Sequence, residues 1–166
     1  MNSSFETTIG ELIDQKILFP LDDGNHGEIH PKISDYVKEG IPFLMASDLT
    51  SSKIDLEKCV FITSEQAKSL RKGVAKEGDV LLSHKGTIGR VSILSGLKSE
   101  FAILTPQITR YRIRDKSQLL PEFLKYYFKN KNFQKILSSW SGAGSTRPYL
   151  SITSQRDLPI KLFDIN

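Results

Sequence analysis

The chain has 166 residues, 39% hydrophobic and 25% charged, enough for one ordinary globular core and too few for two comfortable domains. Its one cysteine, Cys59, excludes an internal disulfide or a cysteine-rich metal site. With no apolar run of about 18 residues and no basic-then-apolar leader, we expect a soluble, cytoplasmic protein without a membrane partner. The net charge of +4 conceals an asymmetry: residues 1–70 carry 6 Lys/Arg against 12 Asp/Glu, residues 71–116 carry 10 against 4, and residues 117–166 carry 7 against 3, so a basic middle and end point to a polyanion met by one face.

Ile9, Leu12, Ile13, Lys16 and Ile17 follow helical spacing, which predicts a short amphipathic helix over residues 8–18, ended before Pro20. Leu21 to Gly40 is rich in Gly, Asp and Asn and lacks periodicity; it reads as a long irregular loop. His26 and His30 have the spacing of a helical zinc pair, but Gly24, Gly27 and Pro31 oppose a helix, so no metal is expected there. Asn25, His26, His30 and Lys32 are instead candidate donors to a phosphate or a base edge. The run Ile41–Ala46 predicts a buried strand, Ser47-Asp48 a turn and Cys59–Ile62 a further strand. Thr63 with Gln66 has capping spacing for a short helix from Ser64 to about Leu70.

The stretch Gly73 to Val91 reads as strand, loop, strand. Gly78-Asp79 marks a turn, Val80 to Leu82 an apolar strand, and Ser83 to Arg90 a loop in which Gly86 and Gly89 allow positive φ between Lys85 and Arg90, with His84 beside them. A solvated hairpin has the same look, so the loop alone decides little. Ala102–Thr105 is another short strand. In Gln107–Arg114, alternation puts Arg110, Arg112 and Arg114 on one face and Thr109, Tyr111 and Ile113 on the other. Three guanidiniums in a row repel one another unless an anion or carboxylates lie against them, or unless they fan into solvent. Arg110 and Arg112, fixed by a strand, are candidates to fork onto guanine O6 and N7.

Leu120, Phe123, Leu124, Tyr127 and Phe128 predict a helix over 121–130 with Pro121 in its first turn, and a second helical stretch runs from Phe133 to Trp140. Lys125, Lys129, Lys131 and Lys135 read as its solvated face. The following SGAGSTRPYLSI is a flexible turn whose Thr146 and Arg147 suit a phosphate oxygen, although the Gly-Lys-Ser/Thr ending of a P-loop is missing. The sequence has no nucleophile elbow, no Cys-His pairing, no dinucleotide fingerprint and no amino-methyltransferase or restriction-nuclease motif. We therefore expect no catalytic residues and no cofactor. The rival reading is a non-catalytic protein-interaction or assembly module whose basic face is incidental.

An ordered set of motifs carries a family resemblance: Asp23-Gly24-Asn25-His26-Gly27, Gly40-Ile41-Pro42-Phe43-Leu44, Gly78-Asp79-Val80-Leu81, Lys85-Gly86-Thr87-Ile88-Gly89-Arg90, Leu120-Pro121-Glu122-Phe123-Leu124 and Gly144-Ser145-Thr146. Together they resemble a target recognition domain of the specificity (S) subunit of type I restriction-modification enzymes, across nearly the whole chain. The resemblance implies a non-catalytic domain, here residues 1–166, that reads one half of a bipartite sequence in double-stranded DNA. It implies as partners the methyltransferase (modification) subunits, the restriction subunit, and a second recognition domain in the same or another chain. The family continues into a long spacer helix after the stretch matching Asp157-Leu158-Pro159-Ile160, whereas this sequence stops at Asn166, so the resemblance is to an isolated domain or a natural half-subunit. The expected fold is α+β, a single domain built on a twisted, mostly antiparallel sheet or partial barrel with flanking helices.

Overall fold

The computed structural model describes residues 4–51, 53–142 and 144–163; the expected break from the family pattern at the C-terminus lies partly outside them. In chain order its elements are β1 (Ser4–Thr8), α1 (Ile9–Asp14), β2 (Asp22–Asp23), β3 (Ile41–Leu44), β4 (Val60–Ile62), α2 (Ser64–Ser69), β5 (Val74–Ala75), β6 (Val80–Lys85), β7 (Thr87–Ile93), β8 (Ala102–Leu104), β9 (Ile108–Tyr111), α3 (Pro121–Lys129), α4 (Lys131–Trp140), α5 (Ile152–Gln155) and β10 (Pro159–Phe163). The class is α+β, as expected, with the strands divided among three sheets. Two have four strands, in the orders β2-β9-β6-β7 and β4-β3-β8-β5, and β1 pairs with β10. Among the described residues, only β3 with β8 pairs in parallel.

The β2-β9-β6-β7 sheet is covered on both faces. Val80, Leu82 and Tyr111 point into a core shared with Leu124 and Phe128 of α3 and Phe133 and Leu137 of α4. Leu81 and Ile108, one residue out of phase, point into a second core with Leu44, Ala75, Ala102 and Leu104 of the other four-stranded sheet. The run Val80-Leu81-Leu82 is thus continuously apolar because both of its faces are buried.

Local chemistry accounts for the element ends. Thr8 caps α1 in a reciprocal box: its hydroxyl accepts from the Glu11 N–H at 3.2 Å, and the Glu11 carboxylate accepts from the Thr8 N–H at 2.9 Å. The helix expected over 8–18 stops at Asp14 because Lys16 turns left-handed (φ 61°), after which Leu18 bridges to Ile113 beyond β9. Thr63 caps α2 through the Gln66 N–H, Pro121 opens α3, and the Asn130 side chain caps α4 through the Phe133 N–H at 2.8 Å. The segment 21–40 is irregular as expected, apart from β2 and two single 3₁₀ turns. The strands β1 and β10 were not visible in the sequence. Cys59 is buried at the start of β4, where burial pushes its thiol up to about 11.

Candidate nucleic-acid interface

The stretch 83–90, expected to be a loop, is the end of a tight hairpin. β6 runs to Lys85 and β7 restarts at Thr87, so Gly86 alone makes the turn, at φ 74°. A bulge interrupts the register between Leu82 and His84, and the Ser83 hydroxyl accepts the Arg90 N–H at 2.9 Å. The tip is then knotted to the loop after α4. The Gly86 N–H donates to Pro148 O at 3.1 Å, the Leu150 N–H donates to His84 O at 3.0 Å, and Lys85 faces Tyr149 across an antiparallel bridge. Two glycine-containing stretches 60 residues apart in the chain become one exposed edge carrying Lys85, Thr146, Arg147 and Tyr149. The Lys85 ammonium lies 5.9 Å from the centre of the Tyr149 ring. Ala143, within that loop, lies outside the described residues.

Beneath the tip runs a buried chain of hydrogen bonds. Tyr111 OH donates to Gln155 Oε1 (2.6 Å), Gln155 Nε2 donates to Thr109 Oγ1 (2.9 Å), and Thr109 Oγ1 is 2.5 Å from His84 Nδ1. On the far side of the ring, His84 Nε2 lies 3.8 Å from Asp23 Oδ2. Burial holds His84 neutral, lowering its pKa to about 4 against the raising effect of Asp23. The buried Asp23 carboxylate also pairs with Lys72 and lies 3.6 Å from His26 Nε2. This network is scaffold: it fixes the hairpin end, β9, α5 and the 22–26 segment relative to one another.

The candidate residues therefore separate. Lys85, Thr146 and Arg147 share the tip, and the exposed His26 is tied to it through Asp23. Arg90 is exposed on β7 with its Nη1 donating to Ala46 O at 3.2 Å. His30 and Lys32 lie elsewhere, beside α2 residues Gln66 and Ser69, with the His30 ring tilted against Phe43 at 5.4 Å. Four of the candidates are engaged within the protein. Asn25 is buried and its amide donates to Lys72 O at 2.6 Å, and His84 is buried in the network just described. Arg112 forks onto the buried Asp79 (2.8 and 2.7 Å) instead of offering its fork to a base. Arg110 donates to Val74 O (3.3 Å) and Pro20 O (3.1 Å), and burial together with the neighbouring Arg112 lowers its pKa. Their shared face was read correctly, but both guanidiniums bond to Val74 O of β5 and are only half-exposed. Tyr149 was missed, since one tyrosine in a turn gives no signal until the loop is seen to pair with the hairpin.

Among the described residues, no cluster of His, Cys, Asp and Glu forms a metal site, and no helix is long and apolar enough to cross a membrane. No protein-family model and no curated relative matches the sequence. Solved structures do. A chain from a study of complex assembly and conformational transition of the type I R-M system superposes on 96% of this chain with a TM-score of 0.66 at 18% identity. The HsdS subunit from Thermoanaerobacter tengcongensis covers 96% with a TM-score of 0.64 at 20% identity, and the type I restriction-modification S subunit from M. genitalium covers 98% with 0.61 at 14%. This chain spans only 34%, 33% and 35% of those chains, respectively. It therefore has the fold of about one third of a type I restriction-modification S subunit.

Proposed function

We propose that this chain is a target recognition domain of a type I restriction-modification specificity subunit and binds double-stranded DNA in a sequence-dependent way, reading one half of a bipartite site. The observation that carries the reading is the knotted tip, where Lys85, Thr146, Arg147 and Tyr149 share an exposed edge held by backbone bonds on both sides of Gly86. A hairpin held in this way is stiff, and a two-stranded ribbon is narrow enough for the major groove. Lys85 and Thr146 act on phosphates; Arg147 and Tyr149 have the reach and surface to meet base edges. His26 and Arg90 add contacts at the flanks.

The domain itself does no chemistry. It works in the cytoplasm with methyltransferase and restriction subunits of the same system and with a second recognition domain, which together act at the site it selects. In vitro selection from a randomised duplex pool tests the reading. A short half-site should be enriched by the wild-type chain, and the enrichment should be lost with Arg147→Ala. No enrichment at any salt concentration would favour the assembly-module alternative, and methyl transfer or strand cleavage by the isolated chain would contradict the non-catalytic role.

A further inference from the structure

Alongside the hairpin, and starting at its tip, runs a trough with no acidic lining. Its first part, about 550 Å3, lies between Gly86, Ile88 and Pro148 on one side and Lys131, Lys135 and Ser138 of α4 on the other. Its second part, about 640 Å3, continues past Gly89 and Arg90 to the 47–51 turn, and the two parts share Lys129 and Gln134. Four cations thus converge on one groove, and none is in a salt bridge among the described residues.

Two of the four are held in place without being neutralised. Lys129 Nζ donates to Ser51 O (2.5 Å) and Arg90 Nη1 to Ala46 O (3.2 Å); a carbonyl satisfies a donor but leaves its charge in the groove. The other two, Lys131 and Lys135, are exposed one turn apart on α4, in the like-charge spacing that disfavours a helix. The first turn of α4 holds no acidic residue, so Lys131 also sits against the positive end of the helix dipole. Gln134 fixes the groove's width by donating to Gly89 O at 2.9 Å and Phe128 O at 2.7 Å. A site assembled at electrostatic cost, with all of its charge of one sign, fits a linear polyanion.

We propose that this trough is a binding site for one sugar-phosphate strand of the duplex, with Lys129, Lys131, Lys135 and Arg90 as its phosphate contacts. The inference rests on the DNA-binding reading above and gives the duplex a direction: the strand leaves the tip at Gly86 and follows β7 toward the 47–51 turn. From Gly86 to Val91 the strand geometry gives roughly 16 Å. Successive phosphates of one strand advance about 3.4 Å along the helix axis, so several can lie in the trough.

The test is the salt dependence of duplex binding by the whole 166-residue chain. Each lost phosphate contact should reduce the slope of log K against log salt by about 1. Lys131→Gln with Lys135→Gln should therefore flatten the slope by about 2, and Arg at both positions should restore it. Lys98→Gln with Lys161→Gln, an equal change of charge elsewhere on the surface, should leave it unchanged. If the wild-type chain binds duplex and the Lys131/Lys135 variant keeps its slope, the trough belongs to another partner and only this inference is overturned. If the wild-type chain binds no duplex at low salt, the DNA-binding reading falls and takes the trough with it. Thermal melts of each variant separate a lost contact from a lost fold.

Discussion

Arg112 shows how far a single residue can be read from sequence. Strand alternation placed it correctly with Arg110, opposite Thr109 and Tyr111, but it could not show that a second sheet covers that face. Its half-buried guanidinium satisfies both oxygens of Asp79, whose side chain is 2% exposed. Removing one partner of such a pair leaves an uncompensated buried charge. Arg112→Ala should cost about 2–4 kcal/mol of stability and weaken cognate and unrelated DNA equally, through the folded fraction alone. Urea unfolding and paired titrations check this; a selective loss on cognate DNA with unchanged stability would return Arg112 to the recognition surface. His84 gives a second residue-level prediction. Its folded pKa of about 4 lies below the 6.5 of an unperturbed histidine, so the unfolded chain binds the proton first as pH falls. The stability it contributes is complete above pH 6.5 and is lost as pH drops toward 4, by up to about 3 kcal/mol. Carboxylates add their own loss at the acid end, so the measure is the difference between wild type and His84→Gln, whose denaturation midpoints should converge as pH falls.

At the scale of elements, legibility followed sequence distance. The helices α2, α3 and α4 and the strands β3, β4, β6 and β8 were announced by local spacing, caps and Pro121. The pairing of β1 with β10 joins segments from the two ends of the chain and leaves no local trace. The hairpin was legible as two glycines and two cations, but its closure on residues 148–150 was not, because that contact depends on where α3 and α4 return the chain. Gly24 was legible as a helix breaker, and the structure adds a steric reason for it: a Cβ there would lie 2.1 Å from Leu104 O and 2.2 Å from Thr105 C. Backbone on that side cannot retreat without breaking the β3–β8 pairing. Gly24→Ala should destabilise by about 3 kcal/mol or more, whereas Gly86→Ala, which meets no atom but keeps a strained φ, should cost about 1 kcal/mol. Equal melting temperatures for the two variants would contradict the steric account.

For the molecule as a whole, the charge division seen in composition becomes spatial. The basic middle and end of the chain supply both the tip and the trough, while the acidic N-terminal third contributes Asp23, one of the two buried carboxylates that hold the scaffold. Duplex binding by the isolated chain should be weak and steep in salt, with a slope of roughly −4 to −5 for about five phosphate contacts, Lys85 at the tip and the four cations of the trough. Lys85→Ala should lower affinity for all duplexes alike, which equilibrium titration on selected and scrambled DNA would read directly.

The antiparallel register of β1 with β10 sets Ser4 opposite Phe163, so the described chain enters and leaves at one spot, about one strand spacing apart at ~4.8 Å. A unit wired in this way behaves as a cassette. It can be set into a longer polypeptide, or lifted out, while the flanking segments stay at nearly the same separation, and its reading edge can change without the host's geometry being renegotiated. A circular permutant that links Phe163 to Ser4 through a short Gly-Ser loop and opens the chain between the surface residues Lys98 and Ser99 should therefore fold and melt within a few degrees of the parent. Failure to fold would mean that the terminal strands need their native chain ends free.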